Sequence, residues 1–351
     1  MIARTSAASS RRRAAGREGA AASPPASWQR ELADGVASVG ELLALLDLPA
    51  AAAGGAAGAA RAAAEFPVRV PRGFVARMRP GDPRDPLLLQ VLAAAAEVEP
   101  APGWEHDPLA EADQQPVPGV LHKYRGRALL VVTGACAVHC RYCFRRHVPY
   151  GERSLTRSAE ERALAWLAGE PSIEEVILSG GDPLTLPDRR LADLAERLAA
   201  IPHLRRLRLH TRLPIVLPGR VDDALLAWLG GTRLAPVVVV HANHAREIDA
   251  AVAAAVGRLA AAGIPVLNQS VLLAGVNDSP EALADLSRAL FAAGALPYYL
   301  HLLDRVAGAA GFDVPEPRAR ALHAELAARL PGYLLPRLVR EVPGAAGKVG
   351  V

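Results

Sequence analysis

ALLVVTGACAVHCRYCFRRH (128–147) decides how this chain is read. It opens as a short β-rich run, ALLVVTG, and passes straight into a loop holding Cys136, Cys140 and Cys143, the only cysteines in 351 residues. An odd, clustered set cannot be a disulfide framework. It reads as a reduced thiol site for metal or redox chemistry, in a cytoplasmic setting. Three thiolates on one loop can hold three irons of a [4Fe–4S] cluster, leaving the fourth iron for a small chelating molecule. The alternative is a zinc ion completed by His139 or His147, in a zinc-stabilised binding protein.

Working outward, the β-rich opening recurs downstream. EEVILSG (174–180), RRLRLHT (205–211), PVVVVHA (236–242), PVLNQSVLL (265–273) and LPYYLHLLD (296–304) have strand character. Between most of them lie amphipathic stretches such as SAEERALAWLAG, DRRLADLAERLAAI, AREIDAAVAAAVGRLAAAG and SPEALADLSRALFAAG, several with Ser or Asp at the start. Six such repeats predict a parallel sheet that right-handed crossovers curl into an α/β fold, a partial (β/α)6 TIM-like barrel. Its chemistry belongs at the C-terminal strand ends.

Upstream, residues 1–27 are an Ala-, Arg- and Ser-rich stretch expected to be a disordered tail. Residues 28–120 read as an N-terminal helical extension: ELADGVASVGELLALLDL and AGAARAAAEFPV have helical spacing, and the Pro- and Arg-punctuated connector PVRVPRGFVARMRPGDPRDP follows. The barrel core is expected over 121–310 and a closing segment over 311–351.

Composition excludes several classes. Apolar residues make up 51% and charged residues 22%, and the apolar runs break well short of membrane-spanning length, so no membrane span is expected. Aromatics at 4% and a net charge of +4 make a nucleic-acid partner improbable. Of forty basic residues only Lys123 and Lys348 are lysine. Arginine keeps its proton, whereas lysine can lose it and bond covalently to a carbonyl carbon, so the two exceptions invite a chemical explanation.

The Cys-x3-Cys-x2-Cys loop, with Tyr142 before its last cysteine, resembles the radical S-adenosylmethionine superfamily. RVPRGFVARMRPGDPRDPLL, HKYRGR, GACAVHCRYCFRRHVPYGE, ILSGGDPL, HTRLPIVLP, NQSVLLAGVND and PGYLLPRLVREVPGAAGKVG extend the resemblance over about residues 28–351. It is closest to the lysine 2,3-aminomutases, and within them to the branch serving (R)-β-lysylation of elongation factor P. The RVPRGFVARMRPGDP lead-in and the ending at Val351 favour that branch over aminomutases acting on free lysine for β-lysine biosynthesis or catabolism.

The resemblance implies a site residue by residue. Cys136, Cys140 and Cys143 would hold a [4Fe–4S] cluster. Gly180, Gly181 and Asp182 would meet the methionyl end of S-adenosylmethionine, with His241 and Gln269 near its nucleoside, though either could equally be a satisfied buried polar group. Lys348 would carry pyridoxal 5′-phosphate, with Lys123 and Arg127 at the phosphate. Arg145 would clamp the substrate α-carboxylate, with Arg146 as its confusable neighbour. Asp304 and Glu341 would hold the lysine ε-ammonium, and here the chain departs from the free-lysine enzymes, which have aspartate in place of Glu341. The implied reaction is an isomerisation of L-α-lysine to (R)-β-lysine, started by an electron donor. A separate lysyl ligase would use the product, and a homo-oligomer is compatible with the pattern.

Overall fold

The computed structural model describes residues 27–148 and 155–351. The expected tail lies, but for Ser27, outside the described residues, as does the GACAVHCRYCFRRHVPYGE motif from residue 149 onward.

All six expected strands form, in sequence order. They are β2 (Arg127–Thr133), β3 (Glu175–Gly180), β4 (Arg206–Thr211), β5 (Ala235–Val240), β6 (Val266–Val271) and β7 (Ala295–His301). β8 (Arg337–Arg340) continues the parallel run. β1 (Val120–Tyr124) and β9 (Val349–Gly350) add an antiparallel strand at either edge. The nine strands follow one another in strict order, and the two edge strands are not paired with each other. This is an open, partial barrel.

Helices lie between most of the parallel strands: α4 (Arg157–Ala168), α5 (Asp188–Ala199), α6 (Asp223–Gly231), α7 (Ala250–Ala261), α8 (Pro280–Ala293) and α9 (Glu316–Ala327). Their starts follow ordinary capping chemistry. Thr156, Asp222, Asp249 and Ser279 each accept a backbone N–H of the first turn. Gly294, left-handed at φ 98°, ends α8 and turns the chain into β7. Leu178, Leu207, Leu209 and Val240 on the strands and Leu191, Leu225 and Val252 on the helices are fully buried. Each contributes roughly 1.5–3 kcal/mol of apolar transfer. Among the described residues no helix is long and apolar enough to cross a membrane.

The N-terminal extension is helical but broken. α1 (Ser27–Ala33) and α2 (Val39–Leu45) split the first helical stretch that the spacing predicts, and α3 (Ala56–Glu65) forms over most of the second. The first break falls where Val36 pairs with Val70 in an isolated bridge, tying the extension to its own connector.

Candidate active site

The barrel encloses a cavity of about 560 Å³. Every residue given a role by the resemblance lines it: the three cysteines, Gly180, Gly181, Asp182, His241, Gln269, Lys123, Arg127, Lys348, Arg145, Asp304 and Glu341. The cysteines follow β2, the Gly-Gly-Asp turn follows β3, and Asp304 follows β7, as the barrel rule requires.

The cysteine loop is held from behind by the N-terminal extension. Arg141, fully buried, donates to Glu97 Oε2 at 2.6 Å and to the Phe66 carbonyl at 2.7 Å. Arg146 donates to the same Glu97 oxygen at 2.7 Å. Both guanidinium groups sit over the Phe66 ring, at 4.8 and 5.0 Å. Arg146 is thus held on the Glu97 side of the loop, whereas Arg145 pairs with Glu111. His139 spends Nδ1 on the Pro67 carbonyl at 2.8 Å and stacks on Phe66. His147 spends Nε2 on the Ala307 carbonyl at 2.9 Å. Among the described residues no three His, Cys, Asp or Glu side chains crowd round the position of a single ion. Burial pushes the Cys143 thiol up to about 11 and Cys136 well above its ordinary value. Neither is a reactive thiolate by itself, and each would lose its proton to a bound metal.

Gly180 and Gly181 are required by backbone contact. Gly180 has φ 120°, and a Cβ there would stand 2.5 Å from the Thr133 carbonyl oxygen. A Cβ on Gly181 would stand 2.4 Å from the Ala135 carbonyl oxygen. These glycines bring the end of β3 against the root of the cysteine loop. Asp182 is also busier than its sequence suggests. Its Oδ1 accepts Leu184 N and Thr211 Oγ1, and its Oδ2 accepts Arg212 N and Leu213 N, at 2.6 to 3.2 Å. A carboxylate has about four acceptor positions, and all four are taken. Burial outweighs these bonds and raises Asp182 to about 6. It is a strut between the ends of β3 and β4, beside the cavity.

At the far end the charges interlock. Lys348 Nζ donates to Glu341 Oε2 at 2.5 Å and lies 5.6 Å from the Tyr299 ring centre. Glu341 Oε1 accepts Tyr124 Oη at 2.8 Å and stands 3.8 Å from Lys123 Nζ. Glu341 therefore links the chain's two lysines. Arg145 grips Glu111 through Nε and Nη2 at 2.7 and 2.8 Å, and Lys123 lies 3.0 Å from the same carboxylate. Those two cations overcome burial and hold Glu111 down at about 2. Asp304 goes the other way: burial and the Glu341 charge push it up to about 7. The Arg127 guanidinium stacks over Tyr124 at 4.6 Å.

The cavity wall suits a polar ligand. Gln269 Nε2, His210 Nε2 and His301 Nε2 line it, buried and without hydrogen-bond partners among the described residues. Such atoms are costly unless a bound group satisfies them. The thiol trio fits an iron–sulfur cluster, and Lys348 with the cations Lys123 and Arg127 fits a phosphorylated aldehyde.

Sequence reasoning missed Glu97, Glu111, Gln90, Arg212 and Glu247. Glu97 had a faint signal, an acid closing the apolar run VLAAAAE. Glu111 had none, because its partner Arg145 is 34 positions away.

The radical SAM superfamily profile matches residues 130–287. The L-lysine 2,3-aminomutase of Escherichia coli (strain K12) is 48% identical over 321 residues, 92% of this chain and 93% of that protein. That of Haemophilus influenzae is 48% identical over 81% of this chain and 84% of its own length. The Clostridium subterminale L-lysine 2,3-aminomutase is 34% identical over 79% of this chain and 67% of its own length. With identity this high across nearly the whole of a relative, the chain belongs to the lysine 2,3-aminomutase family of the radical SAM superfamily, whose members are isomerases.

Proposed function

We propose that this chain converts L-α-lysine to (R)-β-lysine, using pyridoxal phosphate beside the [4Fe–4S] cluster and S-adenosylmethionine that the family implies, and that the product modifies elongation factor P through a separate ligase in the cytoplasm. One observation carries the reading. One cavity is lined both by three thiols and by Lys348 among paired acids and cations.

When bound, the cofactors supply one-electron cleavage of a sulfonium and an electron sink for a migrating amino group. The protein's share is orientation and dryness. Cys136, Cys140 and Cys143 offer three separate iron attachments. Lys348 would hold the cofactor through its amine, and Lys123 with Arg127 would hold its phosphate. Arg145 presents a planar fork suited to an α-carboxylate, and Glu111 keeps that fork oriented. Asp304 and Glu341 receive the distal ammonium. The enclosing barrel keeps water from the reacting atoms. The extension (28–120), including the RVPRGFVARMRPGDP lead-in that supports the elongation factor P branch, braces the cysteine loop against the core (121–310), and the closing segment (311–351) brings Lys348 in from the far edge.

The test is anaerobic incubation of the reconstituted protein with lysine, S-adenosylmethionine and dithionite, followed by chiral analysis. (R)-β-lysine is expected. Unchanged lysine overturns the reading, and the opposite enantiomer overturns its stereochemical part. A mass increase on elongation factor P when the ligase is added separates the modification role from release of free β-lysine.

Asp304 gives a pH signature. With a value raised to about 7, half of it is protonated at neutral pH. An ammonium arriving beside it favours the ionised form, so binding expels a proton when pH is below about 7. KM for lysine is expected to fall by up to about tenfold per unit as pH rises toward 7, then level off. Asp304→Asn should raise KM and flatten that limb. A wild-type KM that rises with pH across this range would contradict the assignment.

A further inference from the structure

We infer that Arg212 is a positioning residue for electron uptake: its guanidinium donates to Cys140 Sγ and so raises the potential at which the cluster accepts its electron. The inference rests on the cluster reading above.

Arg212 follows β4 directly, so the barrel delivers it to the same rim as the cysteine loop. Its Nη1 lies 2.7 Å from Cys140 Sγ and 2.8 Å from Tyr142 Oη. Its Nη2 donates to Gln90 Oε1 at 2.7 Å and to Glu247 Oε2 at 3.0 Å. The side chain is 6% exposed. Glu247 is in turn fixed, with Oε1 accepting Gln90 Nε2, Asn243 N and His244 N at 2.8 to 3.1 Å. Three separate parts of the chain therefore pin one guanidinium: the extension through Gln90, the loop after β5 through Glu247, and the cysteine loop through Tyr142. A flat, permanently charged fork held this way has one orientation. Its Nη1 edge meets the sulfur while Glu247 balances it on the Nη2 edge, which makes a buried cation tolerable.

Reduction adds a negative charge that spreads onto the cysteine sulfurs. A cationic N–H aimed at Sγ in a dry site stabilises the reduced form more than the oxidised one, and hydrogen bonds to sulfur are among the levers that set cluster potentials. Removing it makes the cluster harder to reduce. Removing its counter-charge makes the cluster easier to reduce.

Two variants of the full chain test this after anaerobic reconstitution: Arg212→Gln with Glu247→Gln, which removes both charges so that neither is orphaned, and Glu247→Gln alone. Iron and sulfide per chain, the EPR signal of the reduced cluster and its midpoint potential are measured. The double variant is expected to lose at least tenfold in the reduction equilibrium, about 59 mV downward for one electron, and Glu247→Gln to shift upward. If the double variant does not load iron, the upward shift in the single variant decides the matter. Normal loading with potentials and EPR signals unchanged from wild type overturns the Arg212 assignment alone. Failure of the wild-type chain to take up iron and sulfide overturns the cluster reading and this one together.

Discussion

Lys348→Arg is expected to give a folded protein that takes up iron and sulfide normally but has no long-wavelength absorbance after incubation with pyridoxal phosphate. Its turnover should fall by about 10³-fold or more, the scale seen when a covalent nucleophile is removed. Arginine keeps the positive charge, so the ion pair that Lys348 makes with Glu341 Oε2 at 2.5 Å has a successor, and the fold has little reason to change. A guanidinium is permanently protonated and does not attack an aldehyde carbon. The change thus isolates chemistry from charge. The chain's only other lysine, Lys123, is the natural control. Retention of the absorbance by Lys348→Arg and its loss from Lys123→Arg would exchange the two assignments. Borohydride reduction followed by peptide mapping would identify the modified residue directly.

Cys136→Ala is expected to abolish activity and to cut iron and sulfide to a small fraction of the wild-type content, at a stability cost of about 1 kcal/mol or less. The cost is small because the loop draws its order from other contacts. Arg141 and Arg146 on Glu97, His139 on Pro67 and the Cβ-free approach of Gly181 to Ala135 hold the loop without help from the sulfurs. A melting curve near wild type together with a missing EPR signal is the expected pair of results. Full iron content in Cys136→Ala would remove it from the ligand set.

The six central strands were legible because β-branched runs such as VVVV at 237–240 leave little else for the backbone to do. β1, β8 and β9 were less so. VLHKY and RLVR are short and half polar, and their pairing is set by the neighbouring strands β2 and β7 that they extend. The long helical pattern at 31–48 split because a bridge to Val70 outcompeted propensity across Gly35–Ser38.

Within the site, cysteines and lysines stood out because each is scarce and chemically distinctive. Arg212 could not stand out among thirty-eight arginines. Its meaning depends on Gln90, 122 positions away, and Glu247, 35 positions away, which nothing local announces. Asp182 shows the converse. The resemblance gives it to a ligand, and nothing in ILSGGDPL announces the four donors from Leu184, Thr211, Arg212 and Leu213 that the fold brings to it.

The shared Glu97 has a bearing on how the cysteine loop is held. Ordering a loop costs roughly 1–2 kcal/mol per residue in backbone freedom. In this chain the folding of the extension against the barrel bears part of that cost, because Glu97 and the Phe66 ring grip both guanidinium groups of the loop. A change at Glu97 would therefore reach the cysteines through two arginines at once.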